Sequence, residues 1–235
     1  MNDTREDKIM PIMGHLRELR NVLIKCAIVL AITTALCFVF TTQILQFLIA
    51  PYGGVLETID PTENVVTYFR VALLAGAVLA MPFLVYFVWS FIAPGLESKE
   101  KRYVRIIVPG ATILFLLGVA FAWGVMLPTA IGFLSSFEPE IFRTSWRAAA
   151  YMPFVTSLMF WIGVAFELPL IVFFLAKLKI VTARKLLGWW RFAVVGAAIA
   201  AALITPTVDP FNMALVMGPL IMLYLLSIFM AKLAR

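Results

Sequence analysis

Six long runs of apolar residues constrain the fold of this chain more than any other feature. A helix needs about 20 residues to cross the roughly 30 Å hydrocarbon core of a bilayer, and a helix satisfies its own backbone polar groups in lipid. The chain is 63% hydrophobic and 14% charged, whereas soluble domains are about half apolar and a quarter charged. The sequence therefore predicts an all-α membrane protein with six transmembrane helices in one membrane domain, residues 1–235. The predicted spans are residues 22–40, 71–93, 106–127, 153–176, 192–205 and 211–230.

The basic residues predict the orientation of these spans. All but three of the 19 lysines and arginines fall near the N-terminus, in the second-to-third and fourth-to-fifth connections, or in the C-terminal tail. Because cytoplasmic loops carry the excess of positive charge, both termini are predicted to be cytoplasmic. The net charge of +6 then reflects topology rather than nucleic-acid binding. The three exceptions are Arg70, Arg143 and Arg147.

Residues 1–21 form a cytoplasmic leader with an amphipathic pattern. Ile12, Leu16, Leu19 and Leu23 recur at helical spacing, so we expect the leader to lie at the interface before the chain turns into the bilayer.

The connections on the opposite side, residues 41–70 and 128–152, contain aliphatic and aromatic residues besides Pro, Gly and acids, and we expect structured extracytoplasmic caps. Prolines inside the spans bend helices, which favours a curved, concave bundle. These prolines are Pro82, Pro109, Pro169 and Pro219.

Glu167 is the most informative polar residue, because residue count places it near mid-bilayer. A charged carboxylate there costs several kcal/mol, so Glu167 is either protonated or faces a polar cavity or partner. The structural alternative is a neutral acid bonded to a carbonyl that Pro169 leaves free.

Three other acids have plain structural interpretations as well as functional ones. Asp209 precedes Pro210 in a pattern typical of a helix N-cap. Glu100, and Glu18 in the leader, are either solvated helix residues or carboxylates that can hold a guanidinium in a bidentate way.

Cofactors, metals and catalysis are not expected. Cys26 and Cys37 lie eleven residues apart on one predicted helix, too far to pair, and His15 has no Cys or His neighbour for a metal site. The sequence contains no nucleophile–base pair and no phosphate-binding loop, so an enzyme is not predicted.

Five short runs carry a family resemblance. They are H-L-R-E-L-R at residues 15–20, I-A-P at 49–51, F-I-A-P-G-L followed by E-K-R within 91–102, F-E-L-P at 166–169 and T-P-T-V-D at 205–209. In this order, over nearly the whole chain, they resemble the TatC family, the receptor subunit of the twin-arginine protein translocase.

The resemblance implies binding of the twin-arginine signal peptides of folded precursors at the cytoplasmic face of a bacterial or archaeal inner membrane. It also implies assembly with TatA/TatB-type single-span subunits, in a homo- or hetero-oligomer driven by the proton-motive force. The residues that match the signal-peptide site are Glu18, Arg20, Phe91 and Glu100. Glu167 would line a concave pocket that contacts a partner or the signal peptide, while Pro51 and Asp209 match the family's extracytoplasmic loop and turn.

Two positions depart from the family pattern. Val22 stands where a second arginine is common, and Leu225 follows Tyr224 where the family often has glutamate. The alternative functions left open are a small-solute or proton-coupled carrier that uses Glu167, and a membrane scaffold without a transport role.

Overall fold

The computed structural model describes residues 12–92, 101–138, 140, 145–205 and 209–234, with the backbone alone at 12, 13 and 101–106. The described residues form helices and no strand, apart from one isolated parallel β-bridge between Glu57 and Arg147. The all-helical prediction is confirmed for this part of the chain.

Ten α-helices follow one another in the described part of the chain, and the π-helical turn Ala122–Met126 lies between the fourth and fifth of them. Their bounds are α1 Ile12–Phe38, α2 Thr41–Ile49, α3 Glu63–Ile92, α4 Lys101–Phe121, α5 Leu127–Ser136, α6 Ala148–Ala165, α7 Leu168–Lys177, α8 Ala183–Gly188, α9 Trp190–Ile204 and α10 Pro210–Leu233.

Five helical segments among the described residues are long and apolar enough to cross a membrane, and they correspond to five of the six predicted spans. The predicted fifth span corresponds to α9, which is apolar but has only 15 residues, or about 22 Å of helix. The five segments are Gly14–Phe38, Glu63–Ile92, Ile107–Ser136, Ala148–Lys177 and Pro210–Leu233.

Three boundaries differ most from the sequence-based expectation, and one of them is the start of the second span, which lies at Glu63 instead of residue 71. The described part of the leader does not turn before the membrane; it continues into α1, because no proline interrupts residues 12–38. The third span extends to Ser136 instead of ending at 127, since Pro128 lies in the first turn of α5, where a missing N–H is tolerated. The π-helical turn precedes it directly.

The fourth apolar run is divided into two helices at Phe166 and Glu167. Pro169 lies in the first turn of α7 and has no N–H to continue the hydrogen-bond ladder of α6. By contrast, Pro82, Pro109 and Pro219 stay inside α3, α4 and α10. The fourth run is therefore the one in which a proline separates two helices, and Glu167 lies at this break.

Helix α6 lies at the centre of the packing. Tyr151, Val155 and Ile162 of α6 are fully buried, and 39% of the most apolar window of Ala148–Lys177 is buried, against 11% for Gly14–Phe38. Helix α1 is thus the most exposed of the five long segments and is held against α3. A Cβ on Gly76 would come within 2.7 Å of the Thr34 backbone, so glycine permits this close approach.

Candidate functional site

Helices α1 and α3 are antiparallel, and this brings the start of α1 to the end of α3. The rings of His15 and Phe91 stack with centroids 4.3 Å apart and planes 17° from parallel. At the other end of the pair, Phe38 contacts Tyr68 and Phe69, each with a centroid separation of 5.1 Å. Two motifs that are far apart in sequence therefore meet at one end of the bundle.

Glu18 joins this cluster through His15. His15 Nδ1 lies 3.6 Å from Glu18 Oε2, and the i, i+3 spacing puts both side chains on one face of α1. The Glu18 side chain is 37% exposed, yet its Oε2 is enclosed and has no hydrogen-bond partner among the described residues. A carboxylate with unused acceptor capacity beside a stacked aromatic pair suits a guanidinium ligand.

The other two predicted residues of this site have different outcomes. Arg20 is exposed, and its Nη2 donates to Asn21 Oδ1 at 3.4 Å, so its recorded contact is local rather than with Phe91. Glu100 lies outside the described residues, and its role stays a prediction.

Sequence reasoning missed His15 as a member of this cluster and considered it only as a metal ligand. Its i, i+3 spacing to Glu18 was the available signal. Its partner Phe91, in contrast, is 76 positions away in the sequence, a contact that no local pattern reveals.

Glu167 is the N-cap residue of α7, but its side chain does not cap the helix. Its backbone carbonyl accepts hydrogen bonds from the N–H groups of Leu170 and Ile171, both at 3.0 Å. Its side-chain Oε1 is enclosed and has no hydrogen-bond partner among the described residues. The alternative of a bond to a carbonyl freed by Pro169 is thus not seen, and Glu167 retains unused hydrogen-bonding capacity at a helix break.

The two predicted turn residues both lie at helix ends. Asp209 caps α10: its Oδ1 accepts from Asn212 N at 2.7 Å, and its Oδ2 accepts from Asn212 Nδ2 at 2.9 Å. This confirms the capping interpretation. Pro51 follows α2 in a turn where Tyr52 N donates to Ile49 O at 2.9 Å.

The two connections 41–70 and 128–152 contact each other. Glu57 N donates to Trp146 O at 2.9 Å, and Ala148 N donates to Glu57 O at 2.8 Å. Arg147 donates from Nε to Glu63 Oε1 at 2.7 Å and also from Nη2 to the same oxygen. The hydrogen bonds that Arg147 donates to Glu63 raise the pKa of Arg147 above its usual range. Residues from both connections therefore form one hydrogen-bonded unit.

Within the described part of the chain, no three His, Cys, Asp or Glu side chains cluster as metal ligands would. Cys26 and Cys37 are free and half-buried. The arrangement offers polar and aromatic contacts for binding, at the α1–α3 end and at Glu167.

Comparison with known proteins identifies relatives of one kind. A family model described as "Sec-independent protein translocase protein (TatC)" matches residues 14–219. The chloroplastic protein TATC of Pisum sativum is 34% identical over 97% of this chain, which spans 66% of that longer protein. The TatC protein of Deinococcus radiodurans is 37% identical over 96% of this chain and 87% of its own length.

A solved structure agrees with these sequence relatives. A crystal structure of a twin-arginine translocase receptor, TatC, is 35% identical to this chain and superposes with a TM-score of 0.85. The match covers 94% of this chain and 99% of that one. The helical arrangement described above is therefore close to that of the receptor.

Proposed function

We propose a receptor function for this chain, which belongs to the TatC family of Sec-independent protein translocase proteins. In this proposal it is the component that binds twin-arginine signal peptides of folded precursors. The observation that carries the proposal is the stack of His15 on Phe91, with Glu18 beside it. This cluster joins the leader motif to the start of the loop motif.

The chemistry of the cluster suits an arginine pair. A guanidinium is planar, binds a carboxylate through two parallel N–H···O bonds and packs on aromatic faces. Glu18 offers a carboxylate and Phe91 an aromatic ring, while Glu100, nine residues after Phe91, supplies a second carboxylate for the second arginine. Lysine has no such fork, so a twin-lysine peptide should bind less well.

Photocrosslinking of a twin-arginine signal peptide to the full chain in membranes tests this site. Phe91→Ala, Glu18→Gln and Glu100→Gln should each reduce the crosslink, whereas Glu57→Gln, an exposed acid at the opposite end of the bundle, should not. A twin-lysine peptide serves as the ligand control. Crosslinking at the wild-type level by the double variant Phe91→Ala, Glu100→Gln, with normal membrane insertion, would show that the site is misassigned.

The receptor role requires that the α1–α3 end faces the cytoplasm, with six spans and both termini inside. The distribution of the basic residues supports this orientation. Helix α9 completes the sixth span if the bilayer thins locally around it. Single cysteines at Val55, which is 89% exposed, and at Ile180, which is 58% exposed, report the two sides when Cys26 and Cys37 are replaced. A membrane-impermeant maleimide added to intact cells should label position 55 and not 180.

Glu167 supports a second part of the same function, contact with single-span TatA/TatB-type subunits in a cytoplasmic membrane. Glu167 is half-buried at a break between two helices, and its carboxyl group makes no hydrogen bond among the described residues, so it can form one with a polar group of a neighbouring helix. Co-purification of such a subunit should fall with Glu167→Ala and be partly retained with Glu167→Gln, which keeps the hydrogen-bonding shape. A solute or proton-coupled carrier is not favoured, because the relatives are protein translocase components.

A further inference from the structure

Arg70 is a charged side chain in a membrane-spanning helix without a visible counter-charge. It lies in α3, within the apolar segment Glu63–Ile92, and is exposed. Among the described residues it has no ion-pair or hydrogen-bond partner, whereas Arg147, which lies at the same end of α3 in the structure, is paired with Glu63. Charged groups at membrane depth are costly unless a partner, a polar cavity or the lipid headgroups compensate them.

A cavity of about 430 Å³ opens beside Arg70 between α1, α3 and α6. Its walls are mainly apolar, with contributions from Leu30, Leu73, Ala77 and Phe160. A slot of this volume and composition suits part of a hydrocarbon chain, and the cationic head of Arg70 lies on the same wall.

The two hydroxyl groups of the cavity already donate to backbone carbonyls. Thr156 Oγ1 donates to Met152 O at 2.7 Å, and Ser157 Oγ donates to Ile204 O at 3.3 Å. Arg70 is therefore the one lining side chain of this cavity whose donors are unused. A ligand of the cavity needs an anionic head and an apolar tail.

The depth of Arg70 distinguishes between possible anions. Helix α3 has 30 residues, or about 45 Å, so it extends about 7 Å beyond each side of a 30 Å hydrocarbon core if it is centred. Arg70 is about 10 Å from the Glu63 end, only about 3 Å inside the core boundary. From there its long stem reaches the phosphate layer, whereas a carboxylate in the middle of a partner helix would lie deeper.

We propose that this cavity binds one anionic phospholipid, with its phosphate on the Arg70 guanidinium and an acyl chain between α1, α3 and α6. The planar guanidinium binds phosphate oxygens in a bidentate way. The site is distinct from the His15–Phe91 cluster and does not depend on the proposed receptor function.

The test measures the melting temperature of the purified full chain in neutral detergent micelles as phosphatidylglycerol is added. Phosphatidylcholine with the same acyl chains is the lipid control. The wild-type protein should be stabilised more by phosphatidylglycerol than by phosphatidylcholine. Arg70→Gln should raise the phosphatidylglycerol concentration needed for half-saturation about tenfold, because charge-assisted hydrogen bonds to the phosphate are lost. Arg70→Lys should give a value between those of wild type and Arg70→Gln.

Two further variants keep the test decisive. Arg191→Gln removes an exposed arginine beside Trp190 on another helix and should leave the phosphatidylglycerol response unchanged. Ala77→Phe fills the cavity and should reduce the response while Arg70 is retained. Equal responses to the two lipids, an unchanged response in Arg70→Gln, or an equal loss in Arg191→Gln would overturn the proposal. So would stabilisation by an acidic single-span peptide but not by phosphatidylglycerol.

Discussion

Gly118 of α4 is in close contact with the backbone of Gly163 of α6 where the two helices cross. A Cβ on Gly118 would come within 2.9 Å of Gly163 Cα and within 2.9 Å of Ile162 O. Because both contacts are with backbone, no side-chain rotation relieves them. Gly163 is four residues before Glu167, so the close crossing of α4 and α6 lies next to the break between α6 and α7.

Gly118→Ala should therefore force α4 and α6 apart. We expect a loss of about 1–3 kcal/mol in the free energy of unfolding, the usual cost of overpacking, measured by denaturation of the purified protein in micelles. The matched control is Gly196→Ala in α9, where a Cβ meets nothing within 4 Å. Since alanine is the better helix former, the control should be neutral or slightly stabilising. Equal destabilisation by both variants would contradict the close crossing.

The hydroxyl of Tyr151 connects α6 to the end of α2. Tyr151 is fully buried, and its hydroxyl donates to Leu48 O at 2.9 Å. Tyr151→Phe leaves this carbonyl without its donor inside the protein, so we expect a loss of about 1–3 kcal/mol of stability. Tyr68→Phe, which removes an exposed hydroxyl contact with Thr42, should change stability by less. A smaller loss for Tyr151→Phe than for Tyr68→Phe would show that the buried bond is not important.

The long helices were predictable because their apolar runs are local in sequence. The break beside Pro169 and the cap at Asp209 also follow from one or two neighbouring residues. The π-helical turn Ala122–Met126 has no such signal, since Trp123 is held there by stacking on Phe47 with centroids 4.2 Å apart. This stack joins residues 76 positions apart, so no local pattern in the sequence predicts it.

The same reasoning applies to the candidate sites. Glu18 and Phe91 were found because they belong to recognisable runs, and Glu167 because a carboxylate is rare in an apolar stretch. The pair Glu63–Arg147 joins residues 84 positions apart, and neither residue has a local pattern that indicates the other. The ion pair between the two connections could therefore not be predicted from the sequence and is established by the structure.

Asp60 predicts a dependence of stability on pH. Its carboxylate accepts hydrogen bonds from Thr62 N at 2.9 Å and Thr62 Oγ1 at 2.8 Å. These bonds, the backbone one first, lower the pKa of Asp60 in the folded state. Its contribution is therefore complete above the unfolded-state pKa of about 3.9 and is lost as the pH falls through the lower folded-state value.

Replacing Asp60 by Asn should remove this contribution. The melting temperature of Asp60→Asn should fall less steeply than that of wild type as the pH decreases below about 4. Thr62→Val, which removes the hydroxyl donor but keeps the backbone one, should lie between the two. Identical acid profiles for wild type and Asp60→Asn would show that the Thr62 bonds do not stabilise the folded state.

His15 contacts both Phe91 and Glu18, and substitutions at His15 separate these two contacts. His15→Phe keeps an aromatic ring against Phe91 but removes the nitrogen next to Glu18, whereas His15→Ala removes both. An aromatic pair contributes about 0.5–1.5 kcal/mol. If the stack positions Phe91 for a guanidinium, His15→Ala should weaken crosslinking to a twin-arginine peptide severalfold, and His15→Phe should retain most of it.

Arg17→Gln is the matched control, because Arg17 is an exposed neighbour on α1 without a described contact to Phe91. Its crosslinking should equal that of wild type. Equal losses in His15→Phe and His15→Ala would assign the effect to the Glu18 contact instead of the stack. Full crosslinking in His15→Ala would mean that Phe91 holds its position without His15 and that the stack does not contribute to peptide binding.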